Sequence, residues 1–78
     1  MNVVVVSPEK TLFSDSASSV VVPGTKGAFE ILENHAPIIS SLQRGVVSVI
    51  GKDGKVEIPI ESGFVEVANN EVSVCIES

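Results

Sequence analysis

Seventy-eight residues make a small chain, with a modest core and a narrow margin of stability. A net charge of −5, with Lys10, Lys26, Arg44, Lys52 and Lys55 scattered along the sequence, argues against nucleic acid as a partner. Binding phosphates requires clustered cations. Hydrophobic residues make up 44% and aromatics only 4%, so the core is aliphatic, and fifteen Val and seven Ile favour strands over helices.

Asn2–Ser7 opens with four consecutive valines and reads as the first strand. Ser7-Pro8-Glu9-Lys10 is a turn, and Thr11–Val22 follows as one long strand broken by a polar middle, Ser14-Asp15-Ser16. Val22-Pro23-Gly24-Thr25 reads as a type II turn, with Pro23 presetting φ and Gly24 accepting φ > 0. Gly27 marks a second bend or a close backbone approach. Ala28–Leu32 is a short strand, and a polar corner, Glu33-Asn34-His35-Ala36-Pro37, holds the only histidine. Ala36 is biased to extended geometry by Pro37. The strand Ile38–Leu42 then runs to a break at Gly45.

Two hairpins can be read with register. Asp53-Gly54 between Val46–Lys52 and Lys55–Glu61 is a two-residue turn signal. It pairs Lys52 with Lys55, Ile50 with Glu57, Val49 with Ile58 and Val47 with Ile60. The Lys52/Lys55 pair is mildly repulsive, offset by Asp53. Pro59 cannot donate to a ladder, so its strand is expected at an edge or a bulge. Asn69-Asn70 joins Phe64–Ala68 to Glu71–Ile76 and aligns Val67 with Val72 and Val65 with Val74. Glu66, Ser73, Phe64 and Cys75 then share the second face.

About eight strands with alternating faces, and no sustained helical period, predict an all-β fold: a small β-sandwich of mainly antiparallel strands in one domain over residues 1–78. The single Cys75 has no intrachain disulfide partner, which fits a reducing setting. With no His or Asp near it in sequence, it reads as a packed side chain, not a nucleophile. One His and one Cys cannot make a structural zinc site. The carboxylates are spaced as polar strand faces, and the lone His has no nucleophile to activate, so no catalysis, cofactor or small-molecule substrate is expected. Gly24-Thr25-Lys26-Gly27 superficially looks like a phosphate loop, but the spacing is wrong and no helix follows. No run approaches the ~18 apolar residues of a membrane span, and Met1–Lys10 lacks the marks of a signal peptide. Direct membrane insertion is therefore not expected, and any membrane association has to come through a partner.

The succession Val22-Pro23-Gly24, Gly27, Phe29, Ile31-Leu32, His35-Ala36-Pro37, Ile39-Ser40, Leu42 and Gly45 resembles the N-terminal domain of the epsilon subunit of rotary ATP synthases, called delta in mitochondria. Ser7-Pro8-Glu9-Lys10 with Leu12-Phe13, and Ser62-Gly63-Phe64-Val65-Glu66-Val67, match its flanking motifs, so the resemblance covers essentially the whole chain. It implies a β-sandwich and a non-catalytic rotor subunit of the central stalk. That subunit binds the gamma subunit and the polar loops of the membrane c-ring, at the cytoplasmic face of the bacterial inner membrane. The positions matching the family's partner contacts are Ser7, Ala28 and the corner Glu33, Asn34, His35, Ala36 and Pro37, on loops expected at one end of the sandwich. Many members carry Glu where this chain has Ala28, which moves that charge contact to Glu30 or removes it. His35 has two readings: a hydrogen bond to gamma or the ring, or a corner residue satisfying local backbone groups. Pro23, Gly24, Gly27, Gly45, Asp53, Gly54 and Gly63 are read as backbone devices. The family usually continues into a pair of C-terminal helices. With Ser78 as the last residue, the expectation is coupling of rotation without inhibition of hydrolysis or ATP sensing.

The alternative is a swinging-arm carrier resembling a lipoyl or biotinyl domain, with Lys52 or Lys55 as the modified hairpin lysine. The Asp-Lys or Met-Lys context of those domains is absent. A secreted fibronectin-like binding module is a third reading, for which the chain shows no signal peptide.

Overall fold

The computed structural model describes all residues, Met1–Ser78, as eight strands and no helix. They are β1 (Asn2–Val6), β2 (Thr11–Val22), β3 (Phe29–Leu32), β4 (Ile38–Leu42), β5 (Gly45–Gly51), β6 (Gly54–Ile60), β7 (Ser62–Ala68) and β8 (Glu71–Glu77). One sheet runs β4–β7–β8–β1–β2 and the other β3–β2–β5–β6, so β2 belongs to both. Its first half pairs with β1, and from Ala17 onward it pairs with β5 and β3, across a register shift between Ala17 and Ser19. The polar middle foreseen from sequence, Ser14-Asp15-Ser16, does not break the strand: it pairs with β1, and the passage from one layer to the other comes just after it, at Ala17–Ser19.

The pairings are antiparallel except β1 with β8, which runs parallel. Alternation does the rest. Val3, Val5, Val65, Val67, Val72, Val74 and Ile76 face inward from the first sheet, and Val20, Val22, Ile31, Val47, Val49, Ile58 and Ile60 from the second. Leu42 closes one corner, where Gly24 forms a single bridge to it. A sheet of this period-two pattern buries one face and leaves the other to water or a partner.

The β7–β8 hairpin has the expected register, with φ of 53° and 60° at Asn69 and Asn70, as a type I′ turn requires. The β5–β6 hairpin differs. Gly51 pairs with Gly54, Ile50 with Lys55, Val49 with Val56 and Val47 with Ile58. Lys52 and Asp53 therefore form the tip, and Lys52 does not face Lys55. Gly54 takes a φ of 111° at the residue after the turn, while Lys52 and Asp53 keep negative φ. Two residues at negative φ make a type I tip rather than a type I′ one, and Gly54, paired with Gly51, takes the positive φ as the first residue of β6. The slip is two residues, so every side chain keeps its face and Val47, Val49, Ile58 and Ile60 remain inside. β6 is an edge strand, as Pro59 demands.

Candidate functional site

The polar corner is built around a tight turn. His35 N–H donates to Leu32 O at 3.2 Å, and Asn34 sits at the third position with φ 61°. Positive φ at that position is the type II pattern, which Asn tolerates. The type II turn expected at Pro23-Gly24 therefore occurs here instead. His35 is half-buried, and its Nδ1 donates to Ala36 O at 2.7 Å, so one ring nitrogen is committed to the local backbone. Ala36 and Pro37 are exposed.

Beneath the turn, Glu33 joins the Met1 ammonium as an ion pair and accepts from Asn70 Nδ2 at 3.0 Å. The ammonium also donates to Ala17 O at 3.3 Å. Asn34 N–H donates to Asn70 Oδ1 at 2.9 Å, and Asn2 N–H to Asn70 O at 3.2 Å. The hydrogen bond from the ammonium, then that from Asn70, hold the Glu33 carboxyl below its ordinary value of 4.5.

The remaining candidate residues lie elsewhere. Ser7 closes the β1–β2 turn, accepting from Lys10 N–H through its Oγ at 3.3 Å. It sits where β1, β8, β7 and β4 present Val6, Cys75, Gly63 and Leu42, whereas the Glu33–Pro37 corner adjoins Ile38 and the Asn69-Asn70 turn at the opposite end of that sheet. Ala28 precedes β3 and Glu33 follows it, a separation of four strand residues or roughly 13 Å. Ser7 and the Asn34–Pro37 corner thus lie at opposite ends of the first sheet and do not share the one loop end expected, while Ala28 lies on the loop beside β4 and Glu30 is exposed on β3.

Pro23 and Gly24 are also corrected. Gly24 does not adopt positive φ; its N–H reaches Val22 O at 3.1 Å across Pro23, the pattern of a γ-turn. The following turn, Gly24 to Gly27, is closed by Gly27 N–H to Gly24 O at 2.9 Å, and Gly27 carries the positive φ of 125°. Gly24 is instead fixed by crowding, since a Cβ there would stand 2.7 Å from Gly27 O and 3.0 Å from the Phe29 ring. A Cβ on Gly45 would meet Pro23 at 2.8 Å, and one on Gly63 would strike the Cys75 backbone. This loop lies along β4, with Thr25 N–H on Ser41 O at 3.1 Å and their hydroxyls 2.9 Å apart. An open cleft of about 580 Å³ runs between them, floored by Phe29, Ile38 and Ile39.

Both outer faces carry apolar side chains in the open. On the first sheet Val6, Cys75 and Phe64 form a row, and Phe64, 49% exposed, borders a shallow groove of about 370 Å³ with Pro8 and Ile76. Ile39, on edge strand β4, is 74% exposed. On the second sheet Leu32, Ser19 and Ile50 form a row, and Val46 lies further along β5. Ser19 is only 6% exposed, and its Oγ has no partner. Neither Ser19 nor the Glu33–Asn70 network was singled out from sequence. An Asn-Asn turn and a Ser within an apolar run gave the only signals, and neither names a distant partner. Lys52 lies 4.0 Å from Asp15 and Lys55 lies 3.6 Å from Glu57, both exposed. No three His, Cys, Asp or Glu side chains are placed to hold a metal ion.

Residues 1–78 match the family model of the β-sandwich domain of the ATP synthase delta/epsilon chain. The ATP synthase epsilon chain of Leptospira borgpetersenii is 45% identical over 74 residues, covering 95% of this chain and 58% of its own. That of a Synechococcus strain is 41% identical over 78 residues, covering 100% and 56%. The chain thus spans little more than half the length of these relatives. A chain of the Euglena gracilis mitochondrial ATP synthase superposes with a TM-score of 0.88 at 16% identity, over 97% of this chain and 49% of that one. A chain of the Tetrahymena thermophila central stalk and c-ring assembly gives 0.82 at 15%, over 99% and 63%. At such identities the superpositions establish the fold. The sequence matches go further: this chain belongs to the ATP synthase delta/epsilon-chain family, as its β-sandwich domain.

Proposed function

We propose that this chain is a non-catalytic subunit of the central stalk, turning with the rotor and carrying torque between the c-ring and the catalytic head. The observation that carries the reading is family membership over all 78 residues. The uncovered apolar faces around Phe64 and Ile39, and around Leu32 and Ile50, support it, because apolar surface of this kind marks association. A close-packed aliphatic sandwich suits torque transfer, since such interiors yield little under strain.

Contact residues spread over separate loops, with Ser7 and the Asn34–Pro37 corner at opposite ends of the first sheet, suit two partners. The Ser7 turn and the Ala28 loop, with Glu30 beside the latter, meet the polar loops of the c-ring. The Asn34–Pro37 corner meets the gamma subunit, where His35 has one ring nitrogen free to hydrogen-bond. The chain is then held at the cytoplasmic face of the inner membrane through these partners, and no helix in it is long and apolar enough to cross a bilayer. Washed native membranes should retain the protein together with the catalytic head. Membranes that keep the head but lose the chain completely would refute the stalk reading.

A further inference from the structure

Asn70 is where three separate stretches of chain meet. Its backbone carbonyl takes Asn2 N–H at the start of β1, and its side-chain carbonyl takes Asn34 N–H in the corner. Its side-chain amide donates to Glu33, which is itself paired with the Met1 ammonium. The backbone carbonyl and both side-chain groups of one half-buried asparagine are thus engaged, the side-chain groups on consecutive residues of the corner.

The corner has need of this. Glu33–Pro37 links β3 and β4, which lie in different sheets, and its only internal backbone hydrogen bond is His35 N–H to Leu32 O. Asn34 holds a left-handed φ of 61°, which Asn tolerates better than most residues but which still competes with its ordinary conformations, so a bond to its N–H helps keep it there. The 2.9 Å bond from Asn70 Oδ1 grips the backbone at that residue, one position before His35. A loop held in its bound shape loses less freedom when a partner arrives.

We propose that Asn70 is a positioning residue for the partner-contact corner: across the sheet it locks Glu33 and Asn34 so that His35, Ala36 and Pro37 are presented in one fixed arrangement. The binding half of this rests on the stalk reading above.

Asn70→Gly separates the side chain's role from the turn's, because Gly accepts the left-handed φ and Asn-Gly is a favoured type I′ pair. The hairpin should survive with its melting temperature unchanged or raised. Exchange of the Asn34 amide, followed by NMR, should quicken roughly five- to tenfold, as expected for losing one net hydrogen bond. Affinity for purified gamma subunit should fall several-fold. The double variant Asn70→Asp with Glu33→Gln reverses the donor and acceptor between the two side chains and keeps an acceptor for Asn34 N–H. It should restore both the slow exchange and most of the affinity.

Unchanged Asn34 exchange in Asn70→Gly would overturn the proposal. So would weakened binding with Asn34 exchange unchanged, since Asn70 would then act by direct contact. If the unsubstituted chain fails to bind gamma, the stalk reading falls and the binding half with it, whereas the exchange data still decide whether Asn70 fixes the corner.

Discussion

Glu33 shows what a single residue does that its sequence context did not announce. It stands in a run that reads simply as a polar corner, yet it gathers the chain's amino group, Asn70 and the turn at Asn34. Sequence order carries no sign of this, because Asn70 lies 37 residues away from it. Gly24 teaches the converse. Pro-Gly is a strong turn signal, but the property of glycine used there is the missing Cβ against Gly27 and Phe29, not freedom of φ. Both properties select the same residue, so the letter alone cannot tell them apart. Glu33 also yields a pH prediction. Its folded-state pKa is lowered from 4.5, so the unfolded chain takes up this proton at higher pH than the folded chain does. Its stabilising contribution is therefore whole above the ordinary carboxylate value and is lost as pH falls through the lowered one. Denaturant melts from pH 6 to pH 3 should show wild type losing its advantage over Glu33→Gln as pH falls. A constant gap across that range would contradict the ion-pair account.

Elements were more legible than residues. All eight strands were read from alternation and turn residues within one or two positions, because a buried face imposes period two on the sequence itself. The β7–β8 register was read correctly, because Asn69 and Asn70 both accept the positive φ of the tight turn. The β5–β6 register slipped by two, because Asp-Gly serves two hairpin geometries and the faces are the same in both. The parallel pairing of β1 with β8 left no local trace at all: it joins the two ends of the chain, and valines on both sides fit many neighbours. The observed hairpin separates two substitutions at its tip. Asp53→Ala should cost under ~0.5 kcal/mol, as expected at an exposed site with no bond to lose. Gly54→Val should cost about 1–3 kcal/mol, since a β-branched residue is strained at its φ of 111°. Equal midpoints for the two variants in denaturant titrations would contradict the positive φ at Gly54.

At the scale of the whole molecule, β2 crosses from one sheet to the other and the Gly24–Leu42 bridge ties β4 back across the seam. The result is a sandwich with an aliphatic interior and two outer faces that are apolar in part, with Ser7 and the Asn34–Pro37 corner at opposite ends of the first sheet. The class of fold followed from composition and periodicity. The division of the candidate residues did not, because it depends on which end of each strand a loop leaves. That separate loops meet two partners is the central claim, and co-purification tests it most directly. The tagged chain, recovered from detergent-solubilised native membranes, should bring down both the gamma subunit and the c-ring, identified by mass spectrometry. Replacing Ala28 with Lys should lower c-ring recovery more than gamma recovery, while replacing His35 with Glu should do the reverse. Recovery of neither partner from an extract that contains both, or equal loss of both in each variant, would contradict the account.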